Sequence, residues 1–399
     1  MKKDIRNNLI LKIMNHGLVF LINVLMVRLL GGAQSGWIIN QLYWLTSLSF
    51  LCSLGLDYAA IQAISTHPDS YKKWFFILCV SSLLTIPFIF LLISILSNVT
   101  SLKIQSNQFA LLFISGQTIL LLFQGLLNSV KRFMAQNAVL LSTNFILCLC
   151  FFYFFFTQKP VSINLIFTLF SVNIFLQGLI MAAIALPKKK LNFQLPDGND
   201  KKAVMHGFKI MLSTLVYFFF IRTDHFFAEK YADPISFGNY VQCGKIGQYF
   251  LLYASMISVT LLPFISDHKQ MLQRNSWFSV LRPYVIIMVA IAFCILIAGK
   301  FLFPLLFGEA FINMHKIMNI LLPGYLALGL LTLLNAFYIG KGMLKRMLIG
   351  DICGLIVVLI LNLTFSRKGN IYIVSMISTS CYIALFLFMF YGMKKRLDL

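Results

Sequence analysis

The sequence predicts an all-α polytopic membrane protein: about 12 transmembrane helices in two six-helix bundles around a central cavity. Three observations predict it. The 399 residues are 59% hydrophobic and only 11% charged, with a mean hydropathy of +0.85, whereas soluble domains carry roughly 25% charged residues. Apolar runs of about 20 residues, the length needed to cross a bilayer, recur along the whole chain. Most Lys and Arg sit in the short segments between those runs, and they favour one side.

The spans fall at 9–30, 36–56, 74–97, 108–130, 137–157, 162–186, 205–229, 237–263, 283–306, 317–339, 346–365 and 370–392. The start, MKKDIRNNLILKIMNHG, has the basic opening of a signal peptide, but Lys12 and His16 interrupt its apolar run and no small-residue cleavage site follows. It reads as the start of the first membrane helix. The longest connections are 57–73, 187–204 and 264–282, too short for a soluble domain.

Orientation follows from the cations. With both termini on one side, that side collects 21 of the 33 Lys and Arg, among them Lys72, Lys73, Lys131, Arg132, Lys188–Lys190, Lys201 and Lys202. The other side has eight, and Lys12, Lys209, Arg222 and Lys245 lie within spans. The split puts both termini in the cytoplasm of a multi-pass inner-membrane protein and requires an even number of crossings. It also gives the net charge of +21 a source other than nucleic-acid binding.

The basic stretch PKKKLNFQLPDGNDKK (187–202) lies at the midpoint and reads as a linker. It divides the chain into an N-terminal bundle with linker, 1–200, and a C-terminal bundle, 201–399. The halves repeat weakly at a shift of about 200: Arg28 stands eight residues before Gly36, and Lys230 eight before Gly238. Parallel repeats of this kind place substrate sites between halves in many transporters.

Polar side chains inside spans are costly unless they face protein or water, so their helical phase locates candidate sites. Lys12, His16 and Asn23 fall within about 40° of one another on the first helix. Lys209, Ser213, Tyr217 and Asp224 fall within about 80° on the seventh. Gln242, Lys245 and Tyr249 share a face of the eighth helix, and Gln117, Gln124 and Asn128 one of the fourth. Two readings stay open: a water-filled cavity with cationic walls, or snorkelling Lys and interhelical amide bonds.

The stretch YFFFIRTDHFFAEK (217–230) puts Arg222, Asp224 and His225 within one apolar run. Asp224 shares a face with Lys209 and Tyr217, while Arg222 points about 200° away. Asp224 is the candidate for ion coupling, with His225 beside it as a proton-sharing or headgroup-level residue. Asp57 and Asp351, at span edges, are expected to pair with loop cations. The eight cysteines form no CxxC and no Cys/His cluster, so no metal or cofactor is implied, and they read as small apolar core residues.

Several stretches together resemble the Wzx-type O-antigen and polysaccharide flippases of the multidrug/oligosaccharidyl-lipid/polysaccharide exporter superfamily. They are VRLLGGAQSGWI (27–38), GLDYAAIQAIS (55–65), RTDHFFAEKYADPISFGNYVQCGKI (222–246), LLPFIS (261–266) and LFGEAFINMHKIMNILLPG (306–324). Asp224, Gly238, Tyr240, Phe307, Gly308, Phe311 and Pro323 take the patterned positions; at Gly32-Ala33 the sequence departs, where that family commonly has a Pro. The resemblance implies a non-enzymatic flippase that moves an undecaprenyl-diphosphate-linked oligosaccharide by alternating access, with coupling to H⁺ or Na⁺. Membrane lipids, a polymerase and other polysaccharide assembly proteins are the partners it implies. A multidrug or cation antiporter of the same superfamily is the nearest competing reading. A membrane oligosaccharide polymerase is disfavoured, because the sequence has no large loop and no nucleophile–base constellation.

Overall fold

The computed structural model describes residues 2–99, 107–187, 198–266, 274–340, 343–368 and 370–397. Among these there is no strand. The helices are α1 (Lys2–Ser53), α2 (Leu56–Thr66), α3 (Tyr71–Val99), α4 (Asn107–Ser129), α5 (Phe133–Thr157), α6 (Ile163–Ile184), α7 (Gly198–Tyr231), α8 (Pro234–Ser266), α9 (Arg274–Phe307), α10 (Met314–Gly340), α11 (Leu344–Phe365) and α12 (Ile371–Leu397). Starts and breaks follow local chemistry. Ser162 caps α6 by accepting from the Leu165 N–H at 3.2 Å. Asp233 caps α8 by accepting from Ile235 and Ser236, with Pro234 at the first helical position.

Among the described residues, ten stretches are long and apolar enough to cross a membrane. One of them, Ile10–Ser53, runs 44 residues. At 1.5 Å per residue that is about 66 Å of helix, twice what one crossing needs. The two expected spans 9–30 and 36–56 are two helices that meet at a kink within α1. No loop separates them; Gly31 alone breaks the helix, at φ 74°, ψ 178°. The left-handed φ is one that only glycine adopts cheaply.

A second difference concerns 57–73, expected as a connection. It contains α2, 11 residues of LDYAAIQAIST that bury Ala59, Ala60, Ala63 and Ile64. The segment is amphipathic and too short to span, so a search for 20-residue apolar runs passes over it.

The chain clusters into two compact units. Unit 1 comprises residues 1–30 and 38–215, and unit 2 comprises 31–37 and 216–399. The division falls inside α7, between Leu215 and Val216.

In unit 1, α4 is central: 72% of its apolar stretch is buried. It packs on α6, α3 and α2. A Cβ on Gly116 would lie 2.6 Å from the Phe175 Cα, and one on Gly178 would lie 2.7 Å from the Gly116 carbonyl. These glycines let α4 and α6 touch backbone to backbone. Trp74, Phe75, Leu78, Leu122, Phe123 and Leu126 fill the core on the other side of α4.

Unit 2 repeats this plan. There α10 is central, 67% buried over its apolar stretch, and packs on α8 and α12. By contrast α9 is only 17% buried, and Ile286, Phe293, Ile297 and Phe301 stand exposed on it. Such a surface suits lipid rather than water. All eight cysteines are free. Cys294 and Cys353 are exposed, not core as expected, because α9 and α11 are the outer helices of unit 2.

Candidate functional site

Asp224 sits in unit 2, 3% exposed, on α7. Its Oδ2 accepts from the Tyr240 hydroxyl of α8 at 2.5 Å, and from Ser378 Oγ and the Tyr382 hydroxyl of α12 at 2.8 and 3.1 Å. Its Oδ1 accepts from the His225 N–H at 2.8 Å. Ser378 and Tyr382 are four apart, so both project from one face of α12. Each hydroxyl has one proton. Ser378 has an alternative acceptor in the Val374 carbonyl at 3.0 Å, and Tyr382 one in the Ile221 carbonyl at 3.3 Å. The cage can therefore re-orient its donors without losing all its bonds.

Arg222 reaches the Asp224 cluster through His225. Arg222 Nη1 donates to His225 Nε2 at 3.0 Å. A guanidinium has no acceptor, so this contact makes Nε2 the acceptor and leaves the ring proton on Nδ1. His225 is 2% exposed, and its Nε2 lies 4.0 Å from Asp224 Oδ1. Room for this pair comes from α8: a Cβ on Gly244 would lie 3.1 Å from the His225 ring and 3.3 Å from Arg222 Nη1.

The other sequence candidates are spread over both units. On the unit 2 part of α7, Tyr217 is half-buried, and its buried hydroxyl has no hydrogen-bond partner among the described residues. Gln242 is fully buried and Lys245 half-buried on α8. In unit 1, Lys12, His16 and Asn23 are half-buried on α1, while Lys209 is exposed on α7. Asn128 Oδ1 and the Gln124 carbonyl both accept from Gln136 Nε2 of α5, each at 2.9 Å. For Asn128 the interhelical bond is the role the geometry displays.

Asp351 departs from expectation. It is 1% exposed, and neither carboxylate oxygen has a hydrogen-bond partner among the described residues. Among the described residues no loop cation pairs with it, because the face of α11 beside it packs against α7 and α12. A Cβ on Gly350 would lie 2.7 Å from Met389 Sδ, and one on Gly354 would meet Phe220 and Leu385 at 3.0 and 3.1 Å.

Other polar groups escaped the sequence reading. A chain of amides joins α1, α5 and α6 inside unit 1. Asn144 Nδ2 donates to Asn15 Oδ1 at 2.8 Å, and Asn144 Oδ1 accepts from Asn173 and Gln177 at 2.9 and 3.0 Å. Asn137 donates to Asn8 at 2.6 Å. Asn8 and Asn15 are seven apart, as are Asn137 and Asn144, so a matched heptad spacing was present in the sequence. A buried ion pair, Lys73 with Asp200, joins the starts of α3 and α7, each side chain 7% exposed. A cavity of about 270 Å³ opens on it, lined also by His67, Ser70 and Lys202.

Among the described residues no three His, Cys, Asp or Glu side chains come together as a metal centre. What the Asp224 cage can do is exchange a proton or hold a small monovalent cation, since it presents one carboxylate and three hydroxyl oxygens.

The fold is shared with solved multidrug transporters and a lipid flippase. One multidrug-resistance MATE family transporter of the MOP superfamily, in an inward-facing conformation, superposes with a TM-score of 0.74 at 12% identity, covering 96% of this chain and 95% of that one. The lipid II flippase MurJ, inward closed, gives 0.70 at 13% identity over 97% and 87% of the two chains. A MOP superfamily transporter from Pyrococcus furiosus, described by the reverse polarity of its binding pocket, gives 0.69 at 12% identity over 100% and 96%. No curated protein matches the sequence. Residues 1–269 match the family of polysaccharide biosynthesis proteins, and the chain belongs to that family.

Proposed function

We propose that the protein flips an undecaprenyl-diphosphate-linked oligosaccharide repeat unit from the cytoplasmic to the periplasmic leaflet of the inner membrane. It does so by alternating access of its two bundles, without catalysing a reaction, and with both termini in the cytoplasm. Lys12, His16, Asn23, Lys209, Tyr217, Arg222, Lys245, Gln242, Gln124 and Asn128 contribute to the transport path, and Asp224 with His225 couples it to H⁺ or Na⁺. Membership of the polysaccharide biosynthesis family supports a saccharide-bearing cargo. The observation that carries the reading is the sign of the charge within the spans. Lys12, Lys209, Arg222 and Lys245 outnumber the acids there, and cationic walls attract a diphosphate.

The test is complementation of a flippase-null strain. The wild-type gene restores surface polysaccharide, and Lys245→Ala lowers it at equal membrane expression. Wild-type polysaccharide levels in that variant would remove Lys245 from the path. A second reading, a cation-coupled drug antiporter, is favoured by the 0.74 TM-score to a MATE transporter. It predicts drug resistance on expression and no restored polysaccharide.

A further inference from the structure

Asp57 is expected to pair with a loop cation, and no such pair forms among the described residues. It occupies the first turn of α2, which packs on α4. The approach is so close that a Cβ on Gly125 of α4 would lie 2.8 Å from the Asp57 Cα, Cβ and carbonyl oxygen. Asp57 Oδ1 is buried there and accepts no hydrogen bond among the described residues. The residue as a whole is only half-buried, so a path to water remains.

Among the described residues no cation pairs with the Asp57 carboxyl. On α2 the next residue is Tyr58, whose hydroxyl lies near Thr214 of α7. On α4 the residues around Gly125 include Gln124 and Asn128, both neutral. On α7, Gly207 abuts Gly55 and Ala59, and the ionisable residues nearest to it in sequence are His206 and Lys209. At the start of α3, Lys73 is engaged by Asp200. Burial accordingly pushes the Asp57 carboxyl up to about 6, against the opposing pull of the backbone N–H groups at the start of α2.

We propose that Asp57 is a proton-exchange site of unit 1, separate from Asp224, and that binding of its proton goes with tight packing of α2 on α4. In the step, the carboxyl O–H bond breaks and the proton passes to water; the carboxylate later regains a proton from water. The ionised form needs water at Oδ1. Moving α2 away from Gly125 widens its path to Oδ1, so the charge state and the α2–α4 contact are linked. The role in transport rests on the proposed function; the titration does not.

The experiment is infrared difference spectroscopy of the full chain in nanodiscs with ¹³C-labelled Asp, between pH 4 and 8. A carboxylic C=O band should titrate near pH 6 and be missing in Asp57→Asn. Gly125→Ala leaves the carboxyl intact but forces α2 outward, and should move the midpoint down toward the ordinary carboxylate value of about 4. A band near pH 6 that survives Asp57→Asn overturns the site. A midpoint unmoved by Gly125→Ala overturns the link to packing. In reconstituted transport, the wild-type rate should vary two-fold or more between pH 5 and 7, and Asp57→Asn should flatten it. An unchanged profile overturns the part in transport. A wild type that shows the band yet flips no lipid-linked oligosaccharide supports the site and overturns the proposed function instead.

Discussion

Replacing Asp224 by Asn tests the cage most directly, because it removes the charge and keeps the shape. The amide oxygen can face Tyr240, Ser378 and Tyr382, and the amide nitrogen then faces the His225 N–H. The bond from the His225 N–H is lost, and the three from the hydroxyls weaken. Ser378 and Tyr382 have backbone carbonyls to fall back on at 3.0 and 3.3 Å, but Tyr240 has only Ser378 Oγ at 3.1 Å. A hydrogen bond to a charged group is worth about 1.5–3 kcal/mol, which bounds the stability change. The variant should therefore fold, with a modestly shifted unfolding transition in detergent. Its transport should fall at least ten-fold and lose dependence on the H⁺ or Na⁺ gradient. Complementation assays, followed by flux measurements in proteoliposomes with imposed gradients, read both. A variant that keeps the wild-type gradient dependence would refute coupling at Asp224. A variant that fails to reach the membrane would refute the claim that the cage can re-orient.

Breaking the buried pair with Lys73→Met or Asp200→Asn alone should cost about 3–5 kcal/mol, since each leaves a buried charge behind; thermal unfolding measures it, and the double variant should recover most of the loss. Asn144→Leu removes the hub of the amide chain and should cost about 1–2 kcal/mol, at the upper end for interhelical bonds in membranes, seen as a lower unfolding temperature. Stability should also fall as pH rises through about 6, because the folded Asp57 holds its proton more tightly than the unfolded chain does. That stabilisation is fully present below about 4 and lost above about 6, and Asp57→Asn should flatten the slope.

The helical crossings were legible because each needs a long apolar run, and apolar runs survive any rearrangement of partners. The twelve expected spans lie in the two legs of α1 and in α3 to α12. Two features were not legible. The turn at Gly31 needs one residue, and a polar loop is what a hydropathy reading looks for. The helix α2 buries a stripe of alanines, too small and too brief to register. At the site, helical phase set Arg222 about 200° from Asp224 and did not anticipate that its long side chain meets His225 beside that carboxylate. It could not find Ser378 and Tyr382, because serine and tyrosine in an apolar helix are unremarkable until a carboxylate stands opposite. Asp57 and Asp351 were misjudged for a related reason. Closeness to a span edge suggests solvent and loop cations, whereas Gly125, Gly350 and Gly354 let neighbouring helices close over them.

The covalent joint and the packing joint of this chain lie at different places. The linker ends near residue 202, yet α7 stays with unit 1 as far as Leu215. Gly55 against Gly207, and Lys73 with Asp200, hold that first stretch of α7 in place. A polypeptide severed anywhere in 188–197 would thus yield two pieces that each carry part of the same unit. Expressed as separate fragments, they would hold together without a peptide bond, so the protein can be divided for labelling one half at a time.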